Sequence, residues 1–244
     1  MERGMRTIFG LILFGALALG LWAAVGTATA QEDTFRKVAR LVDLSDYREG
    51  AIGNWLADKG FTPTQDATDR RKIALGVAAR RLVVQAQAPA EGYFFNEGLN
   101  LETYSALRIE WGVERFPLET SFENRRNGAA LLVMVFFSYD KVSPQRFALS
   151  GSPYFLAFYL DAHDPVDKAY TGRFFQRRGR FICLGNPPPG ETVVSQFDLV
   201  SALRSYFEND EIPLITGIAL GVNTTASRED GRASAFIRSI EFLE

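Results

Sequence analysis

The sequence predicts an all-β fold, an antiparallel β-sandwich with one short helix before its last two strands. Three stretches carry that expectation. In 214–223, Leu214, Ile218, Leu220 and Val222 alternate with Ile215, Gly217, Ala219 and Gly221, and strand side chains point to opposite faces with period two. One face is therefore large and aliphatic, broken only by Thr216. The other is nearly bare, so something must lie close against it. In 106–113, Leu107, Ile109, Trp111 and Val113 share one face, opposite Arg108, Glu110 and Gly112, the pattern of a half-buried strand in an antiparallel sheet. The run 129–137 is apolar on both faces, which predicts a central strand covered on both sides.

In chain order, residues 1–30 are set aside first. Arg3 and Arg6 precede the apolar run 7–21, and Ala28-Thr29-Ala30 is a small-residue cleavage site, the three-part pattern of a secretory signal. The apolar stretch also approaches the length of a membrane anchor, but the cleavage site favours removal. The mature chain then starts at Gln31, is periplasmic or extracellular, and has no stable membrane insertion. With Glu2, Arg3 and Arg6 removed, 25 basic and 28 acidic residues remain, a net charge of −3. That balance argues against nucleic acid, which calls for a basic patch. Cys183 is the one cysteine, so no intrachain disulfide forms. Its neighbours Ile182 and Leu184 predict a buried, inert thiol.

Residues 31–45 form a lead-in, read as a short helix or an ordered strap, and the sandwich domain spans 46–244. Ile73–Val77 and Leu82–Ala86 each alternate and flank a turn at 78–81, and another strand begins at Tyr93-Phe94-Phe95. Tyr154–Leu160 repeats the two-sided apolar pattern, while 161–180 is polar and holds the only histidine. Short strands follow at 181–184 and 193–197. Asp198 is placed to cap a helix that carries Leu199, Leu203 and Phe207 along one stripe. That helix is the expected cover for the bare face of 214–223. After a polar turn, 233–243 is expected to pair with 214–223 as its antiparallel neighbour. Within 233–243, Arg238 falls in a row with Phe236, Ile240 and Phe242. A charge in a core row is costly unless paired, so a β-bulge that turns it outward is expected. No internal repeat period is present.

The arrangement resembles the galactose-binding-like, jelly-roll group of β-sandwiches, which includes many carbohydrate-binding modules. The residues that carry the resemblance are Trp55, Leu82-Val83-Val84, Gly92-Tyr93-Phe94-Phe95, Leu107-Arg108-Ile109-Glu110-Trp111, Ile215 to Val222 and Ala235 to Phe242. It looks closest to a family of exported bacterial domains with no established function. The resemblance covers residues 46–244 and rests on hydrophobic patterns. It implies a jelly-roll fold and a carbohydrate or other cell-envelope ligand. It departs from such domains at Arg238, where they often carry an acid, so a cation site built on that acid does not carry over to this chain.

Functional chemistry is thinly marked. One His and one Cys cannot build a zinc cluster, and no cofactor motif is present. Calcium needs only carboxylates and carbonyls, and Asp161, Asp164 and Asp167 are the acids for it. A catalytic reading, as a small polysaccharide lyase or hydrolase, would use His163 with Asp161 as its orienting carboxylate, and Tyr159 and Arg173 beside them. There is no G-x-S-x-G elbow. The binding reading rests on aromatic and polar side chains: Trp55 in a polar stretch as a stacking platform, with Tyr93, Tyr159, Asp161, Arg173 and Asn223. Non-catalytic binding is the leading expectation. A structural or assembly role in the envelope, through protein contacts, is the third.

Overall fold

The structure is a computed structural model that describes residues 36–138, 153–172, 178–208 and 210–244. Residues 1–30, read above as an export signal, and Arg173 lie outside these residues. Two sheets face one another. The first holds β11 (Val193–Asp198), β6 (Ala106–Arg115), β13 (Ala233–Leu243), β4 (Arg81–Ala86) and β3 (Ile73–Ala78) in that order, with β1 (Lys37–Asp43) also paired to β13. The second runs β2 (Thr62–Gln65), β5 (Glu91–Asn96), β12 (Leu214–Asn223), β7 (Ala129–Ser138), β8 (Tyr154–Tyr159), β10 (Gly179–Cys183) and β9 (Ala169–Tyr170). Pairing is antiparallel except between β8 and β10. From β5 to β7, and again from β11 to β13, consecutive strands alternate between the sheets, which gives the jelly-roll β-sandwich.

The lead-in is a strand. β1 lies beside residues 239–243 of β13, while β4 takes residues 233–237 of the same edge. Lys37 and Arg40 of β1 pair with the buried Glu241 at 2.7 and 2.8 Å. The turn between β3 and β4 places both Ala79 and Arg80 at positive φ, 49° and 58°. This is the backbone of a type I′ hairpin, made without the Asn-Gly that usually marks one.

One expectation fails clearly. β12 and β13 are not neighbours but lie in opposite sheets. The connection between them, 224–232, is too long for a tight hairpin and instead crosses the sandwich, so both strands turn bulky rows toward one core. That core includes Leu107, Ile109 and Trp111 of β6, Ile218 and Leu220 of β12, and Ile240 and Phe242 of β13. Trp111 donates its indole N–H to Ser195 Oγ at 3.0 Å, so its polar atom is satisfied inside. A bulge between Ile215 and Gly217 shifts the parity of β12 and brings Ile215 into the core beside Ile218. A second bulge, between Ile237 and Ser239, turns Arg238 out as expected, where it pairs with Glu110 at 3.3 Å.

Two helices complete the fold. α2 (Leu199–Phe207) starts at Asp198, whose carboxylate accepts from Ser201 N at 2.9 Å. α1 (Ile52–Asp58) was not expected. It has no side-chain cap and forms because Ile52 and Leu56, one turn apart, reach the core.

Ile218 is fully buried. Ile218→Ala should cost roughly 2–5 kcal/mol through lost burial and the cavity left behind. Urea melts measure this, and an unchanged midpoint would contradict the packing.

Candidate functional site

The nearly bare row of β12 leads to the site. Helix α2 does not cover it: Leu199, Ala202 and Leu203 pack into the inter-sheet core instead. The cover comes from the flanking strands. On the outer face of the second sheet, Ala219 stands between Phe95 of β5 and Met134 of β7, and Gly217 stands opposite Phe136 of β7. With so little side chain on β12, the rings of Phe95 and Phe136 meet across it, centroids 4.8 Å apart. Gly221 is covered the same way by Tyr93. A Cβ at Gly221 would lie 2.8 Å from two Tyr93 ring carbons, so this position requires glycine for close approach.

From Phe136 the aromatic layer continues across the sheet. Phe136 meets Phe155 of β8 at 5.9 Å, and Phe155 meets Phe181 of β10 edge-on at 5.5 Å. Phe181 stacks on Phe122 at 4.8 Å, and Phe122 lies 4.5 Å from Tyr159 and 6.2 Å from Tyr170. This makes a second apolar cluster, separate from the inter-sheet core.

An open cleft of about 1000 Å³ lies on this layer. Its apolar surface comes from Tyr93, Leu132, Phe122, Tyr170 and Phe181, and its polar rim from Glu91, Glu123, Arg125, Asn127, Lys168, Asn223 and Thr225. Tyr93, Tyr170 and Phe181 are half-buried, so part of each ring is open to a ligand. The acids are already engaged. Tyr93 donates its O–H to Glu91 at 2.9 Å. Tyr170 donates to Glu123 at 2.9 Å, and Lys168 pairs with Glu123 at 2.6 Å. The bond from Lys168, then the bond from Tyr170, hold the Glu123 carboxyl below its ordinary pKa.

The two loops that carry these rim residues are tied together by a buried acid. Asp164 is 2% exposed and accepts from Ser121 Oγ at 2.5 Å, Phe122 N at 2.9 Å and Tyr159 Oη at 2.8 Å. Three donors satisfy a carboxylate that, among the described residues, pairs with no cation, where an unpaired buried charge would be costly. Asp161 turns its carboxylate to the main-chain N–H groups of His163 and Asp164, at 2.8 and 2.9 Å. Burial raises the Asp161 pKa.

The sequence candidates therefore separate. Tyr93 and Asn223 line the cleft. Tyr159 lies beneath it, buried, with its hydroxyl given to Asp164 and its pKa raised first by burial and then by that bond. Asp161 is a loop-capping residue and does not orient the His163 ring, which is exposed. Among the described residues, no group of three His, Cys, Asp or Glu side chains is disposed to hold a metal ion. Cys183 is fully buried, and burial pushes its thiol up to about 11. Trp55 is on α1, outside the cleft. It is half-buried, packs edge-on against Tyr47 at 6.1 Å and donates its indole N–H to Asp46 at 2.9 Å. Reading by sequence missed Tyr170, Phe181, Glu123 and Arg125. Tyr170 and Phe181 stand on two short strands that only the fold brings beside Tyr93.

No protein-family model and no curated protein matches the chain. Solved structures similar to it include a carbohydrate-binding module, a CBM29-2 mutant, at 8% identity and TM-score 0.36, over 85% of this chain and 93% of that one. The family 12 xyloglucanase from Bacillus licheniformis is similar at 7% identity and TM-score 0.41, over 70% and 85%. The Emp46p carbohydrate recognition domain is similar at 13% identity and TM-score 0.40, over 85% and 97%. Likenesses this distant carry no argument about the site.

Gly221→Val should collide with Tyr93 and cost about 1–3 kcal/mol by overpacking. It should also displace the Tyr93 ring from the cleft. Denaturant melts with near-UV circular dichroism read both effects, and a neutral substitution would show that the row is not closely covered.

Proposed function

We propose that this is a carbohydrate-binding β-sandwich domain whose ligand lies in the cleft on the outer face of the second sheet. The observation that supports this is the pairing of part-open aromatic rings with a rim of amides and charged groups. Sugar rings present C–H faces that stack on aromatic rings, and hydroxyls that exchange hydrogen bonds with amide and charged side chains. Tyr170, Tyr93 and Phe181 offer the first, and Asn127 and Asn223 the second.

Binding without turnover is the better reading. Glycosidases need two acids set across the scissile bond. In this cleft Glu91 and Glu123 each already accept a tyrosine O–H, and Glu123 is also ion-paired. Among the described residues, no carboxylate holds the His163 ring as a base. The resemblance to exported bacterial domains and the N-terminal signal pattern favour action in the envelope or outside the cell. N-terminal sequencing of the exported protein should begin at Gln31, whereas a full-length membrane-integral product would contradict that placement.

Tyr170→Ala should weaken glycan binding by about 2 kcal/mol or more, as loss of an aromatic anchor does, roughly 30-fold in Kd. Affinity electrophoresis against a polysaccharide panel measures it. His163→Ala should bind as the parent does. Trp55→Ala should lower the melting midpoint and leave retention intact, because Trp55 is held by Asp46 and Tyr47. Retention unchanged in Tyr170→Ala but lost in Trp55→Ala would move the site to α1.

A further inference from the structure

We infer that the glycan taken by this cleft carries carboxylate groups, and that Arg125 is the residue that recognises them. The inference rests on the carbohydrate reading and adds the class of sugar. It follows from which hydrogen-bonding groups in the cleft are already used. Both carboxylates already accept donors, Glu91 from Tyr93, and Glu123 from Tyr170 and Lys168. The cation Lys168 is neutralised by that same Glu123. Nearby, Arg126 and Arg228 both pair with Glu119, at 2.6 and 3.0 Å. Arg125 is different. It lines the cleft and is exposed, and among the described residues no acid pairs with its guanidinium.

The amides add donors to the same wall. Asn223 Oδ1 accepts from Thr225 N at 3.1 Å and Thr225 Oγ1 at 2.8 Å, which leaves its NH₂ group to donate. The backbone at Arg125 is set by its turn. Its backbone has φ 58°, its N–H donates to Phe122 O at 3.2 Å, and the next N–H, from Arg126, donates to Ser121 O at 2.9 Å. Phe122 and Ser121 are in turn anchored to the buried Asp164. A guanidinium fork on an anchored turn, beside a free amide donor and above an aromatic floor, suits a planar carboxylate on a sugar ring.

The test uses polygalacturonate, polyglucuronate and alginate, each beside its carboxyl-reduced neutral form, with the mature protein and its Arg125→Gln and Tyr170→Ala variants. Melting midpoints confirm that each variant is folded. The parent should bind at least one acidic polymer about tenfold or more tightly than its reduced form, and this preference should shrink at high salt, since exposed charges are screened. Arg125→Gln should lose the preference while keeping the weaker binding of the reduced polymer. Tyr170→Ala should lose both. Equal binding of acidic and reduced polymers, or a preference that survives Arg125→Gln, would overturn the role of Arg125 and leave the carbohydrate reading standing. Binding to neutral polysaccharides alone would do the same. No retention of any polysaccharide, acidic or neutral, would overturn both.

Discussion

The structure depends on the small side chains of β12. Where Gly217, Ala219 and Gly221 leave the outer face of the strand bare, the rings of its two neighbours close over it. Phe95 and Phe136 can then touch across a whole intervening strand, and Tyr93 can close in on Gly221. Larger residues there would keep β5 and β7 apart on this face, and the aromatic layer would be broken in the middle. The same device recurs at the sheet margin, where Phe155 lies over Gly179 of β10, 2.2 Å from where a Cβ would stand. A sandwich needs one buried face per sheet. This sheet has two, and the second is an aromatic layer that ends in an open cleft.

Polar contacts fix the cleft walls above that layer. Asp164 joins the loop that carries Phe122 and Glu123 to the loop that carries Lys168 and Tyr170, through three donors. Asn186 donates from its side chain to the carbonyls of Asp161 and Asp164, both at 3.0 Å, and so ties the second loop to the stretch after β10. Loops held by buried, satisfied polar groups are costly to open, because each broken bond leaves an unsatisfied group behind. The aromatic rings can therefore be presented in fixed positions, which favours binding by a preformed surface.

Much of the fold was legible in the sequence. The alternation in β6, the two-sided apolar runs of β7 and β8, the Asp198 cap and the outward bulge at Arg238 all follow from local pattern. What was not legible depends on contacts distant in sequence. Helix α1 has no cap, and only the burial of Ile52 and Leu56 holds it. The pairing of β12 with β13 looked natural from sequence order, but their connection crosses between sheets. The bare row of β12 was visible, yet its cover comes from Tyr93 and Phe95, more than a hundred residues earlier in the chain. For the site, Tyr93 and Asn223 could be named as aromatic and polar candidates. Trp55 drew attention because its sequence neighbours are polar, but polar groups engage it in the fold: neighbouring Lys59 lies 5.6 Å from its ring centre, and Asp46, nine residues earlier, takes its indole N–H. Tyr170 and Phe181 gave no local signal, since β9 and β10 are short and become part of the site only because β10 pairs with β8 and β9 with β10.

The central claim is that the outer face of the second sheet is the working surface. Chemical-shift mapping of the isotope-labelled protein, titrated with oligosaccharides cut from a retained polysaccharide, tests it most directly. The account predicts saturable shifts at the side chains of Tyr93, Tyr170, Phe181 and Asn223, with the Trp55 indole and His163 ring unmoved. Shifts centred on Trp55 and α1, or on the first sheet, with the Tyr170 and Phe181 rings silent, would contradict it.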